Sequence, residues 1–214
     1  PPTPRVEDAA SGDMPVRAGF AQQEMALVRR PVTRRDIARE VWAHTWPTDQ
    51  LVLGSSRMIR EFDTVAPGKK ISVWANRGLS GIDGTVATAR GLASSRSLRG
   101  LPGVTRVVLG DLALLHDAGS FLLQESERMN SSLQIFVVVD GGGSLFDSLD
   151  VAESADRSSY ERVIFTPSQA DLGSLAAAYG WRYRKATDLA GLSEALADTG
   201  GQLLVECPVG RARH

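Results

Sequence analysis

Two apolar runs, each ending in an aspartate beside glycine, constrain this chain most. Val107-Val108-Leu109 runs into Gly110-Asp111, and Phe136-Val137-Val138-Val139 runs into Asp140-Gly141-Gly142-Gly143. A continuous apolar run without polar alternation is the pattern of a parallel strand covered on both faces. The two aspartates stand 29 residues apart. That is room for one βαβ crossover, which brings both acids to the carboxyl edge of one sheet. Ligands of open α/β sheets bind at that edge. Two carboxylates with close glycine backbone suit a hard cation, Mg²⁺ above all, carrying a phosphorylated ligand. The same residues serve equally well as two βα turns in which Asp caps a helix and Gly makes the bend.

Strand and helix patterns alternate along the remaining chain. Strands are expected at 51–53, 71–75, 106–109, 135–139, 182–185 and 203–207, and helices at 56–63, 82–93, 114–128, 170–179 and 188–197. Six short strands with helices between them predict an α/β fold, a doubly wound, mainly parallel six-stranded sheet with helices on both faces. Thr33-Arg34-Arg35-Asp36 resembles a capping box, with Asp where Glu is usual, and opens a helix with Ile37, Val41 and Trp42 on its apolar stripe. Pro47 closes it. Residues 1–32, with Pro1, Pro2, Pro4 and Pro15 and scattered charge, read as a linker or the tail of a preceding domain, with one short helix near 21–28. Residues 33–214 read as one domain. The polar stretch 150–168 reads as a mobile loop near the carboxyl edge.

Composition narrows the function. A net charge of −1 argues against a chain that coats nucleic acid or an anionic membrane. No apolar run nears the ~18 residues of a membrane span and no basic-then-apolar leader is present, so a cytoplasmic protein is expected. The single cysteine, Cys207, sits at the end of an apolar run and reads as a buried structural thiol. His44, His116 and His214 are scattered, so neither a zinc site nor a hydrolase triad finds support. The first residue is proline, which reads as a processed chain or a fragment.

Two further loops carry candidate chemistry. Gly54-Ser55-Ser56-Arg57 leads from a strand into a helix, where hydroxyls and free N–H groups can take an anion. Arg60 lies one turn on from Ser56 and is expected to face the same cleft. Asn76-Arg77-Gly78-Leu79-Ser80-Gly81-Ile82-Asp83-Gly84 is a glycine-bracketed polar turn that lets backbone approach a ligand, with Arg77 suited to a carboxylate. It matches neither a P-loop nor the dinucleotide fingerprint.

Taken together, that loop, Gly110-Asp111-Leu112-Ala113-Leu114-Leu115-His116-Asp117 and Asp140-Gly141-Gly142-Gly143-Ser144-Leu145-Phe146 resemble the C-terminal part of the MenD family. These are thiamine-diphosphate enzymes of menaquinone biosynthesis, the 2-succinyl-5-enolpyruvyl-6-hydroxy-3-cyclohexene-1-carboxylate synthases. The resemblance runs from about Thr33 to Cys207. It implies the diphosphate-binding domain of a transferase that decarboxylates 2-oxoglutarate and adds the succinyl carbanion to isochorismate. Asp111, Asp140 and the Gly142 carbonyl would hold Mg²⁺ or Mn²⁺. Gly110, Leu112 and Ala113 would lie beside the diphosphate, Ile82 would prop the bent cofactor, and Leu145 and Phe146 would cover the thiazolium. Ser56, Arg60 and Arg77 would face substrate carboxylates.

In that family the activating glutamate belongs to an N-terminal domain, and a second subunit completes each site. The resemblance therefore implies a homodimer or homotetramer, no catalytic residue within this chain, and an isolated chain that is inactive. One departure stands out: the usual Asn pair of the metal loop reads Val139-Asp140, adding a negative charge. Two rivals follow, a non-catalytic binding or assembly module with a vestigial site, and a thiamine-diphosphate enzyme of acetolactate synthase type. Arg60 and Arg77 count against the second, since paired cations suit substrates with several carboxylates.

Overall fold

The computed structural model describes residues 25–76, 79, 81–125 and 131–211. In chain order these form α1 (Arg34–His44), β1 (Gln50–Leu53), α2 (Met58–Val65), β2 (Ser72–Trp74), α3 (Thr85–Leu98), β3 (Thr105–Gly110) and α4 (Asp111–Leu115). There follow β4 (Leu133–Val139), α5 (Asp150–Ser154), α6 (Arg157–Tyr160), α7 (Leu172–Ala178), β5 (Arg182–Lys185), α8 (Leu189–Ala197) and β6 (Gln202–Pro208). The six strands make one all-parallel sheet in the order β2-β1-β3-β4-β6-β5. All six expected strands are present within two residues of their predicted bounds.

Apolar side chains leave both sheet faces because every central strand is covered twice. Leu51, Val108, Phe136 and Val205 pack under α1, α2 and α8 through Ile37, Val41, Phe62 and Leu192. Val52, Val107, Ile135 and Leu204 face α3 and α7 through Val86, Ala89 and Ala176. Burying each such side chain contributes roughly 1.5–3 kcal/mol, which explains why β3 and β4 carry no polar alternation. The edge strands are exposed along their whole length, and β5 defends its open edge with Arg182, Arg184 and Lys185.

The capping box at α1 forms as its sequence suggests. Asp36 N–H donates to Thr33 Oγ1 at 3.2 Å and Thr33 N–H donates to Asp36 Oδ2 at 3.0 Å. Arg30, 2.6 Å from the Asp36 carboxylate, holds that carboxyl down to about 2. Met25–Val28 is helical, overlapping the short helix expected near 21–28; residues 21–24 lie outside the described residues. Burial pushes the Cys207 thiol well above its ordinary range, which makes it inert.

Two expectations are corrected. The long helix expected at 114–128 is not there. Short α4 stops at Leu115 and a 3₁₀ turn occupies Ala118–Phe121. Leu122–Gln124 carry no regular structure, while 126–128 lie outside the described residues. Phe121 turns inward against Trp181, the ring centroids 4.6 Å apart and the planes tilted by 50°, and that burial takes precedence over helical periodicity. Nor is 150–168 an irregular loop: α5, α6 and a π turn at Glu161–Phe165 fold it. Arg211 holds it. Its guanidinium pairs with Asp147 at 2.6 Å and Glu161 at 2.9 Å, and lies 3.6 Å over the Phe165 ring. Within the stretch Arg157 and Glu161 also pair with each other at 3.0 Å.

Candidate functional site

The register of the sheet builds the site. Gly110 on β3 pairs with Val138 on β4, so Asp111 and Asp140 emerge one and two residues later from adjacent strands at the carboxyl edge. Each strand then breaks differently. After β3 the chain turns at once into α4, and Asp111 takes the first helical position with its Oδ1 accepting the Leu112 N–H at 2.8 Å. After β4 three glycines follow. Gly141 has a left-handed φ of 84°, and a Cβ on Gly142 would sit 2.5 Å from the Phe165 carbonyl oxygen. Glycine is required there by close approach.

The aspartates differ in their partners. Asp111 Oδ2 accepts the Gly141 N–H at 3.0 Å, so both its oxygens bond backbone. No cation pairs with it among the described residues. Burial, then the neighbouring Asp140 charge, raise its carboxyl to about 6. Asp140 instead accepts from Arg34 of α1 and from the Ser144 hydroxyl, both at Oδ2. Arg34 also donates to Ser144 Oγ at 3.2 Å and to the Gly210 carbonyl at 3.1 Å.

A cleft of about 190 Å³ opens on this edge. The expected residues Gly110, Asp111, Leu112, Ala113, Ile82, Asp140, Gly142, Leu145 and Phe146 all line it, and so does Ser56. Ser56 Oγ accepts the Met58 N–H at 3.2 Å where the chain enters α2. Arg60 departs from expectation. It lines a neighbouring cleft of about 530 Å³ with Arg35, Arg57 and Glu61, the two clefts sharing Arg57, Leu145 and Phe146. One turn of helix carries its side chain past the mouth of the first cleft. Arg77 lies outside the described residues.

Two of the expected roles are narrowed by hydrogen bonds already made. The Leu112 N–H, expected beside a diphosphate, is taken by Asp111. The Gly142 carbonyl, expected as a metal ligand, accepts the Ser144 N–H at 3.1 Å, which leaves one of its two lone pairs.

Sequence reasoning missed Arg34 and gave no role to Arg57 or Ser144, all of which line the cleft, as does Ser55 of the expected anion loop. Arg34 and Ser144 carried no local signal beyond a helix start and a loop. The basic character of Arg57, beside Arg60, was legible but unused.

The donor set fits a divalent cation. Two carboxylates and a backbone carbonyl are hard oxygen donors, and Asp111 is a buried acid held by dipoles alone. Among the described residues no group of three or more His, Cys, Asp or Glu comes together. A cation here would therefore fill its shell from backbone, water and a ligand's own oxygens. The remaining wall, Ile82, Met58, Leu145 and Phe146, suits an apolar ring.

Comparison with known proteins gives the same direction. No family model matches the sequence. The chain is 48% identical over 206 residues to the 2-succinyl-5-enolpyruvyl-6-hydroxy-3-cyclohexene-1-carboxylate synthase of Clavibacter michiganensis subsp. michiganensis, covering 94% of this chain and 35% of that protein. It is 45% identical over 214 residues to the synthase of the same name from Leifsonia xyli subsp. xyli, covering 97% and 36%. The chain thus spans about a third of the length of these relatives. Among solved structures, benzoylformate decarboxylase from Polynucleobacter necessarius superposes with a TM-score of 0.72 at 14% identity, covering 86% of this chain and 34% of that one. That likeness is one of fold.

Proposed function

The chain belongs to the 2-succinyl-5-enolpyruvyl-6-hydroxy-3-cyclohexene-1-carboxylate synthase family, and on that premise we propose that it is the thiamine-diphosphate-binding domain of such a synthase. The observation that carries the reading is Asp111, a buried acid without a cation partner among the described residues, beside Asp140 on the lip of a half-apolar cleft. Thiamine diphosphate, when bound, supplies a thiazolium carbon that takes up the acyl unit of a 2-oxo acid as carbon dioxide leaves.

This chain's residues hold and shape. Asp111, Asp140 and the free lone pair of the Gly142 carbonyl hold Mg²⁺ or Mn²⁺. Gly110 and Ala113 bring backbone to the diphosphate, and Leu112 does so through Asp111, which its N–H fixes in place. Ile82, Leu145 and Phe146 exclude water from around the rings. Ser56 and the arginine-lined second cleft take carboxylates, with Arg57 joining Arg60 in that role. The substrates proposed are 2-oxoglutarate and isochorismate, and the reaction a decarboxylation followed by transfer of the succinyl unit, in menaquinone biosynthesis. The N-terminal domain of a second subunit, in a cytoplasmic homodimer or homotetramer, would complete the site. No described helix is long and apolar enough to cross a membrane.

Calorimetric titration of thiamine diphosphate tests the reading. Binding that requires Mg²⁺, vanishes in EDTA and is lost in Asp111→Ala supports it. Binding indifferent to Mg²⁺, or unchanged in Asp111→Ala, overturns it. Arg34 on Asp140 is what a vestigial, internally neutralised site would also show, and absence of all binding favours that second reading.

A further inference from the structure

Arg34 is anchored before it reaches the site. It stands first in α1, inside the Thr33–Asp36 capping box, and is only 8% exposed. Its guanidinium ends among Asp140, Ser144 Oγ and the Gly210 carbonyl. Every hydrogen bond to the Asp140 side chain falls on Oδ2, from Arg34 and from Ser144. The other oxygen, Oδ1, accepts none among the described residues, and Asp140 lines the cleft. Thus one oxygen is tied back into the protein while the other is left to a ligand.

Charge gives the arrangement its meaning. Asp111 and Asp140 repel across the edge of the sheet, and Asp111 has only backbone dipoles for partners. A side-chain amide at position 140 would offer the same ligand oxygen without the second charge. With Arg34 against Asp140, the pair has no net charge and offers oxygen as an amide does. A buried carboxylate left without such a partner is strongly destabilising.

We propose that Arg34 is a positioning residue for the metal, the built-in counterion that makes Asp140 act as a neutral oxygen ligand and fixes which of its oxygens faces the cleft. The proposal rests on the reading that Asp111 and Asp140 hold a divalent cation. On this account Arg34 and the metal oppose each other electrostatically across Asp140, so the net charge of the pair sets metal affinity.

The test is a titration of Mn²⁺, followed by electron paramagnetic resonance, into the metal-stripped full chain without cofactor at fixed pH. Arg34→Met is expected to tighten Mn²⁺ binding about fivefold or more, because Asp140 regains its full charge, and Asp140→Asn to weaken it by a similar factor. The double variant, with the pair's net charge restored to zero, returns to within about threefold of the unmodified chain. Arg34→Lys, which keeps the charge, stays close to unmodified affinity.

A merely structural arginine gives the opposite sign: Arg34→Met loosens the site and weakens binding, and the double variant does no better. Either result overturns the proposal. Should a single variant not fold, the double variant holds neither buried charge, and it must then bind Mn²⁺ more tightly than Asp140→Asn or, failing that variant, at unmodified strength. An unmodified chain that binds no Mn²⁺ removes the metal reading and this proposal with it. Binding without opposed shifts removes this proposal alone.

Discussion

Replacing Asp111 by asparagine gives a stability change whose sign depends on pH. The Asp111 carboxyl sits at about 6 in the folded chain, through burial and then Asp140, against about 3.9 when unfolded. An acid whose folded value is raised contributes its stability below the unfolded value and loses it as pH rises through the folded one. Between about pH 4 and 7 that loss comes to roughly 2–3 kcal/mol at 1.36 kcal/mol per tenfold change. Asparagine escapes it. The amide keeps one acceptor, and giving up the Leu112 or Gly141 hydrogen bond costs about 1 kcal/mol.

Metal-free Asp111→Asn is therefore expected to be about 1 kcal/mol less stable than the unmodified chain near pH 4, and about 1–2 kcal/mol more stable near pH 7.5. Urea unfolding of both chains in EDTA across that range, read as a difference so that other carboxylates cancel, measures it. A difference that stays constant to within about 0.5 kcal/mol from pH 4 to 7.5 refutes the assignment of a raised Asp111. Adding Mg²⁺ near pH 7.5 should shift the balance back, stabilising only the unmodified chain.

Three other substitutions probe how the site is supported. Asp117→Ala removes the acceptor of the Val86 and Ala87 N–H groups at the start of α3 and should cost about 1–2 kcal/mol in urea unfolding. Gly142→Ala drives a methyl group into the Phe165 carbonyl; a loss of about 1–3 kcal/mol, together with weakened Mg²⁺-dependent cofactor binding in calorimetry, is expected. Arg211→Met takes the guanidinium away from Asp147 and Glu161, leaving the Tyr160 hydroxyl on Asp147 and the exposed Arg157 on Glu161. It should destabilise the chain by roughly 2–4 kcal/mol and open the segment from Asp147 to Phe165 to limited proteolysis.

Much of the architecture was written in local pattern. Unbroken apolar runs at Val107–Leu109 and Phe136–Val139 demanded two-sided burial, so these strands had to be central and parallel. A parallel pair with an acid at each end must place both acids on one edge, as Asp111 and Asp140 stand. The box at Thr33 and Asp36 is equally local, since its partners lie three residues apart. The glycines after β4 announced a close approach without saying what approaches; the answer is Phe165.

What only the tertiary structure decided depends on partners far apart in sequence. No local signal puts β6 between β4 and β5. Gly84 offers no side chain to cap α3, and Asp117, some 30 residues on, reaches across to do it. The segment after Leu115 gives up its helical periodicity because Phe121 gains more by burial against Trp181. Arg34 and Asp140, 106 residues apart, look like two unrelated solvated charges until the sheet brings them together. Sequence determines which groups are present and how each stretch of backbone prefers to run. The fold alone decides which charges meet out of water, and it is there that their interaction becomes strong enough to govern the site.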